Sequence, residues 1–103
     1  MHEQRFDMEE KTNTQEEQIL IRVTGQDRPG LTASIMEILA QYDAHILDIG
    51  QADIHSTLSL GILIRIDKQS SGQVMKDLLF KATEIGVNIG FASISDDEYE
   101  EWV

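Results

Sequence analysis

The chain has 103 residues, 41% of them hydrophobic, no cysteine, and a formal net charge of −11. That length supports one domain with a two-layer core, and no apolar run approaches the roughly 20 residues of a membrane-spanning helix. Without cysteine there are no disulfides, no thiolate chemistry and no cysteine metal sites; the polar, acidic start does not read as a secretory signal, and the expected location is cytoplasmic.

The charge is concentrated at the ends. Residues 1–18 hold six acids against Arg5 and Lys11, and residues 96–103 hold Asp96, Asp97, Glu98, Glu100 and Glu101 with no base. Both are expected to be solvated, flexible segments around a nearly balanced middle, 19–95. No basic face is left for a phosphate backbone, which argues against nucleic-acid binding.

In chain order, the middle opens with Ile19-Leu20-Ile21-Arg22-Val23, an apolar strand. The polar loop Gly25-Gln26-Asp27-Arg28-Pro29-Gly30-Leu31 follows and leads into a helix. Such a loop aims the free amides and positive dipole end of a helix start at the adjoining crevice, which suits a small anion such as an amino-acid carboxylate. Pro29 fits the first helical turn, and Gly30 leaves room for a ligand or a second backbone. An ordinary strand-to-helix turn with Asp27 as a cap and Arg28 as an exposed charge explains these seven residues equally well.

The first helix carries Leu31, Ile35, Ile38 and Tyr42 on one stripe with Leu39 beside it. Asp43 then stands where a left-handed residue ends a helix. His45–Ile54 reads as an extended segment that changes phase, because Ile46 and Ile49 cannot share a face of a regular strand; a bulge near Asp48 resolves the conflict. His55-Ser56 makes a hairpin turn. In residues 58–66 every even position is apolar, so one face is core. Ser70 or Ser71 is expected to cap the second helix, whose apolar face is Val74, Leu78, Ala82 and Ile85, widened by Met75 and Leu79. Gly86 ends it, and Val87–Ile94 is the last strand. Gly61 and Gly90 read as positions of tight sheet packing, and Gly50 allows the same reading.

This order, βαββαβ, predicts an α+β, ferredoxin-like sandwich: a four-stranded antiparallel sheet with two helices on one face. The bare face or an edge would then take a second copy.

The loop Gly25–Leu31, the helix, and Ala44-His45-Ile46-Leu47-Asp48-Ile49-Gly50-Gln51 resemble the ACT domain family of small amino-acid-binding regulatory modules. The hairpin around His55-Ser56 and the tail Tyr99-Glu100-Glu101-Trp102-Val103 resemble its phosphoserine-phosphatase branch, with the tail as a linker to a further module. The resemblance covers about residues 19–95. It implies a ligand, serine or another small amino acid, met by Gln26, Asp27, Arg28, Pro29, Gly30 and Leu31 through main-chain groups. Asp48, Ile49, Gly50 and Gln51 of a neighbouring domain would close the pocket, so the implied state is a homodimer through ACT–ACT contacts. Asp48 could equally be a solvent-facing bulge residue, and Gln51 an edge-strand side chain.

Enzymatic readings fare poorly. Acylphosphatase shares the βαββαβ order, but Arg28 and Asn88 are the only candidates for its chemistry, and the loop lacks a phosphate cradle. Phosphoserine hydrolysis needs an Asp-x-Asp-x-Thr segment, and no two aspartates here stand two apart. Any such catalysis, with its Mg²⁺, is expected in a separate catalytic domain beyond Val103; no cofactor is expected in this chain. His2, His45 and His55 lack metal-ligand spacing. The remaining alternatives are a stand-alone or tandem-ACT regulator and a purely structural dimerisation domain.

Overall fold

The computed structural model describes residues 15–94; the expectations for the acidic ends lie outside these. The elements are β1 (Glu16–Gln26), α1 (Leu31–Gln41), β2 (His45–Ile54), β3 (Thr57–Asp67), α2 (Lys68–Ile85) and β4 (Asn88–Ile94). The strands form one antiparallel sheet in the order β2-β3-β1-β4. This is the ferredoxin-like βαββαβ sandwich expected from the sequence.

The core lies between one sheet face and the helices. Ile19, Ile21 and Val23 from β1 meet the even positions of β3, Leu58 to Ile66, which are all buried. Leu31, Ile35, Ile38 and Leu39 of α1 and Val74, Leu78 and Ala82 of α2 cover them. One face of each element is apolar at its own period, so burial fixes both strand register and helix rotation.

Local corrections to the sequence reading have physical causes. β1 starts at Glu16 and continues through Gly25 and Gln26, because the ladder to β3 runs unbroken to the Gln26–Thr57 pair; ladder pairing overrides the poor strand propensity of glycine. Pro29 lies in the turn before α1, not in its first helical turn, since Gly30 is the N-cap in a left-handed conformation (φ 84°) and Leu31 is the first helical residue. α2 is capped by Asp67, whose carboxylate accepts from the Gln69 N–H at 3.2 Å, and not by either serine. Ser71 lies within the helix, and its hydroxyl donates to the Lys68 carbonyl at 3.0 Å. Leu79 is 52% exposed and does not widen the apolar face.

Other details stand as expected. Asp43 (φ 55°) ends α1, Gly86 (φ 94°) ends α2, and the ladder shifts between Ile46 and Asp48. Leu47 is the extra residue of that bulge. Ile46 and Ile49 therefore both fall opposite helix-side positions of β3, Ile64 and Ile62. His55 and Ser56 both have positive φ, which makes a tight two-residue turn without glycine.

On the face away from the helices, Gly50, Gly61, Arg22 and Gly90 form one row across all four strands. A Cβ added at any of the three glycines meets nothing within 4 Å. Tight packing is therefore not their reason; they leave a strip of bare backbone on the open face.

Candidate functional site

Gly25 sets the approach to the loop. A Cβ there would sit 2.9 Å from Val87 Cγ1 and 3.1 Å from Val87 Cβ, so only glycine lets the end of β1 lie against the residue before β4. The chain then turns through Asp27, Arg28 and Pro29 to the left-handed Gly30.

Accounting for amides identifies what the corner offers. The Asp27 N–H donates to the Ser56 carbonyl at 2.9 Å, and the Leu31 N–H donates to the Arg28 carbonyl at 3.2 Å. The Ser34 N–H makes the first helical bond, to the Gly30 carbonyl at 2.9 Å. Pro29 has no N–H, and the Arg28 N–H serves the Asp27 carboxylate. Among the described residues this leaves the N–H groups of Gly30, Thr32 and Ala33 without a protein acceptor.

Those three donors stand at the positive end of α1, whose first turn holds no acid. The start of α2 differs, because Asp67 already supplies it with a carboxylate. A second, larger hollow of about 580 Å³ adjoins that start, lined by Glu16, Glu17, Gln18, Arg65, Lys68, Ser93 and Ile94. Its acids and bases offset one another, and the helix beside it is self-capped. The α1 corner is therefore the better anion receptor.

On the loop side of the corner lies a shallow depression of about 520 Å³ lined by Asp27, Arg28, Pro29, Asp53 and Ser56. The Asp27 carboxyl is held above the usual carboxylate range, chiefly by a hydrogen bond with the Asp53 carboxyl, with desolvation and the Asp53 charge adding to it. The Arg28 amide acts in the opposite direction. The Gln51 side-chain N–H donates to Asp53 Oδ1 at 3.2 Å. Arg28 itself reaches toward the end of α2: its Nη2 lies 3.9 Å from the position a Cβ on Gly86 would take. A guanidinium there meets the negative pole of that helix.

The residues named from sequence thus divide. Asp27, Arg28 and Pro29 line the depression, Gly30 caps α1 beside it without lining it, and Gln26 ends β1 opposite Thr57. Leu31 has its side chain in the core (2% exposed) and its amide already paired. Gln51 reaches the depression through Asp53. Asp48, Ile49 and Gly50 lie farther down the exposed outer strand, at the level of Leu20 to Arg22 in the sheet, and within one chain do not join the loop. Asp48 Oδ1 accepts from the Ile49 N–H at 2.9 Å.

Asp53 and Ser56 were missed. The signal was available, since a two-residue turn after Ile54 puts Asp53 opposite Leu58, which is itself opposite Gly25. Among the described residues no group of three His, Cys, Asp or Glu is placed to hold a metal ion. No described helix is long and apolar enough to cross a membrane.

A family model for the ACT domain matches residues 17–92. The phosphoserine phosphatase SerB2 of Mycobacterium tuberculosis is 32% identical over 81 residues, 77% of this chain but 20% of that protein. A UPF0237 protein of Methanococcus maripaludis is 36% identical over 75 residues, covering 71% of this chain and 83% of its own length. Among solved structures, an ACT domain protein from Streptococcus pneumoniae superposes with a TM-score of 0.65 at 20% identity, covering 75% of this chain and 89% of that one.

Proposed function

The chain belongs to the ACT domain family, and from that premise we propose that it is a regulatory amino-acid-binding module, with L-serine as the ligand. The carrying observation is the set of three unengaged amides, Gly30, Thr32 and Ala33, at a helix start with no acid of its own. The ligand carboxylate binds those amides, and its α-ammonium turns toward the carboxylates on the sheet side.

In this reading a second copy completes the site. Asp48, Ile49, Gly50 and Gln51 lie on the outer edge strand, free to face the loop of a neighbouring domain, and the assembly is a homodimer. Binding then favours one arrangement of the pair and passes that preference to whatever is attached. The similarity to SerB2 supports a catalytic phosphatase partner beyond Val103, where Mg²⁺ and the aspartyl nucleophile would reside. A second reading, a stand-alone regulator, is supported by the UPF0237 relative, which matches over most of its own length.

Isothermal calorimetry of the full chain against L-serine, glycine and the other small amino acids tests ligand binding. Saturable heat with L-serine at micromolar to millimolar concentration supports it. No heat with any amino acid from a folded sample contradicts it. A reading frame that continues into Asp-x-Asp-x-Thr would identify the phosphatase parent, and one that stops would identify the stand-alone form.

A further inference from the structure

The sheet face away from the helices carries an apolar row set between two cations. Asp48, Leu63, Leu20 and Ala92 lie side by side across β2, β3, β1 and β4. In the next row toward the hairpin tip stands Arg22 among the glycines, and in the next row the other way stands Arg65, between His45 and Gln18. Among the described residues neither guanidinium is in an ion pair. Leu63 is 1% exposed and Gln18 5%, and Leu63 stands outside the core cluster beneath the helices. No described helix or strand lies over either side chain, since both helices pack on the opposite face. A surface of this kind suits a cover that brings apolar rings and negative charge together.

We propose that this face is the docking surface for the chain's own acidic segment, residues 95–103, with the Tyr99 and Trp102 rings on the Leu63–Leu20–Ala92 row and the acids turned to Arg22 and Arg65. The segment holds Asp96, Asp97, Glu98, Glu100 and Glu101 with no base, and its two aromatic residues bracket Glu100 and Glu101. Rings on either side of a carboxylate pair match an apolar row with a guanidinium on either side. The chain enters the segment from Ile94, which pairs with Gln18 in the Arg65 row. Ile94, Arg65 and Lys68 also line one hollow at that end of the sheet. Ser95, Asp96 and Asp97 are residue types that turn a chain back. Trp102 stands eight positions after Ile94, a reach of up to about 26 Å, while the apolar row lies about 7 Å back along the strand and about 5 Å across. Gly50, Gly61 and Gly90 put no side chain in the way of Arg22, so its guanidinium can fold over a ring or meet a carboxylate.

Charge selects this occupant over the others. A second copy stacked face to face brings its own Arg22 and Arg65 against these two. The segment before Glu16 carries Arg5 and Lys11 among its acids. The segment after Ile94 brings five carboxylates and no cation. The docking is independent of the amino-acid reading, because it lies at the opposite end of β1 from the loop that leads to Gly30.

Trp102 is the one tryptophan of the chain, so its fluorescence reports the segment directly. The test is acrylamide quenching of the full chain at low salt over a range of protein concentrations, with N-acetyltryptophanamide as the exposed reference. Acrylamide is neutral and therefore indifferent to the acids around the ring. The expected result is quenching severalfold weaker than the reference and independent of protein concentration. Arg22→Glu combined with Arg65→Glu should raise it to the reference value, with the far-ultraviolet circular dichroism unchanged. Lys76→Glu combined with Lys81→Glu, the same charge change on α2, should leave the protection intact. Reference-level quenching in the native chain, or protection that survives the arginine reversals, would overturn the docking. Protection that falls on dilution would give the face to a second copy and overturn it as well. Should the arginine variant not fold, nuclear Overhauser contacts in the native chain decide. Contacts from the Trp102 ring to the Leu20 and Leu63 methyl groups are expected; contacts to another surface, or none, refute the proposal.

Discussion

Gly30→Ala isolates the backbone device that forms the corner. At this position φ is 84°, and a Cβ built on the backbone meets nothing within 4 Å, so the substitution causes no collision. Its cost is conformational: an L-residue in the left-handed region is disfavoured by about 1–2 kcal/mol. For a domain of this size that corresponds to a fall in melting temperature of about 4–15 °C. Urea denaturation followed by circular dichroism should show a lower midpoint with an unchanged slope. Gly30→Asn should lose less, because Asn tolerates the same region better. Full stability in Gly30→Ala would mean that residue 30 does not hold a positive φ. The amides of Thr32 and Ala33 would then not be presented as described, and the receptor argument would fail with them.

Other substitutions test separate parts of the account. Ile62→Ala, at a fully buried β3 position, should cost about 2–5 kcal/mol in the same denaturation assay; a loss under 1 kcal/mol would contradict the core assignment. Gly61→Ala, in the open-face row, should leave stability unchanged or raise it by about 0.5–1 kcal/mol, since the Cβ has free space and the strand loses a flexible residue. Marked destabilisation there would restore the tight-packing reading. The Tyr42 hydroxyl donates to Asp77 Oδ2, joining the end of α1 to α2, and this bond holds the phenol above its ordinary value. In Asp77→Asn the Tyr42 phenol should ionise at lower pH in an ultraviolet titration, and no change would refute the contact.

Much of the fold was legible because each element repeats its apolar residues at its own period. The even positions of β3 and the stripe Leu31, Ile35, Ile38 and Leu39 give strand, helix and buried face at once. The bulge was readable too, from the clash of phase between Ile46 and Ile49. The errors fell where pairing at a distance overrides local preference. Gly25 and Gln26 look like a loop, yet the ladder to Thr57 and Leu58 holds them extended. Asp67 looks like the end of a strand, yet its carboxylate caps α2.

The same division holds at the candidate site. The loop was visible as a motif, but which of its amides are spent was not, because that depends on Ser56, twenty-nine positions after Asp27 in the chain. Asp53 escaped notice for the same reason. Its relation to Asp27 exists only once β2, β3 and β1 lie side by side.

The central claim is that the start of α1 receives the carboxylate of an amino acid. A titration of the ¹⁵N-labelled full chain with L-serine, followed by amide chemical shifts, addresses it most directly. The account predicts progressive, saturable shifts at Gly30, Thr32 and Ala33 that exceed those at the start of α2 and vanish when the carboxylate is replaced, as in serinol. Shifts centred on Lys68 and Gln69, or none at the α1 corner with any amino acid at millimolar concentration, would contradict it.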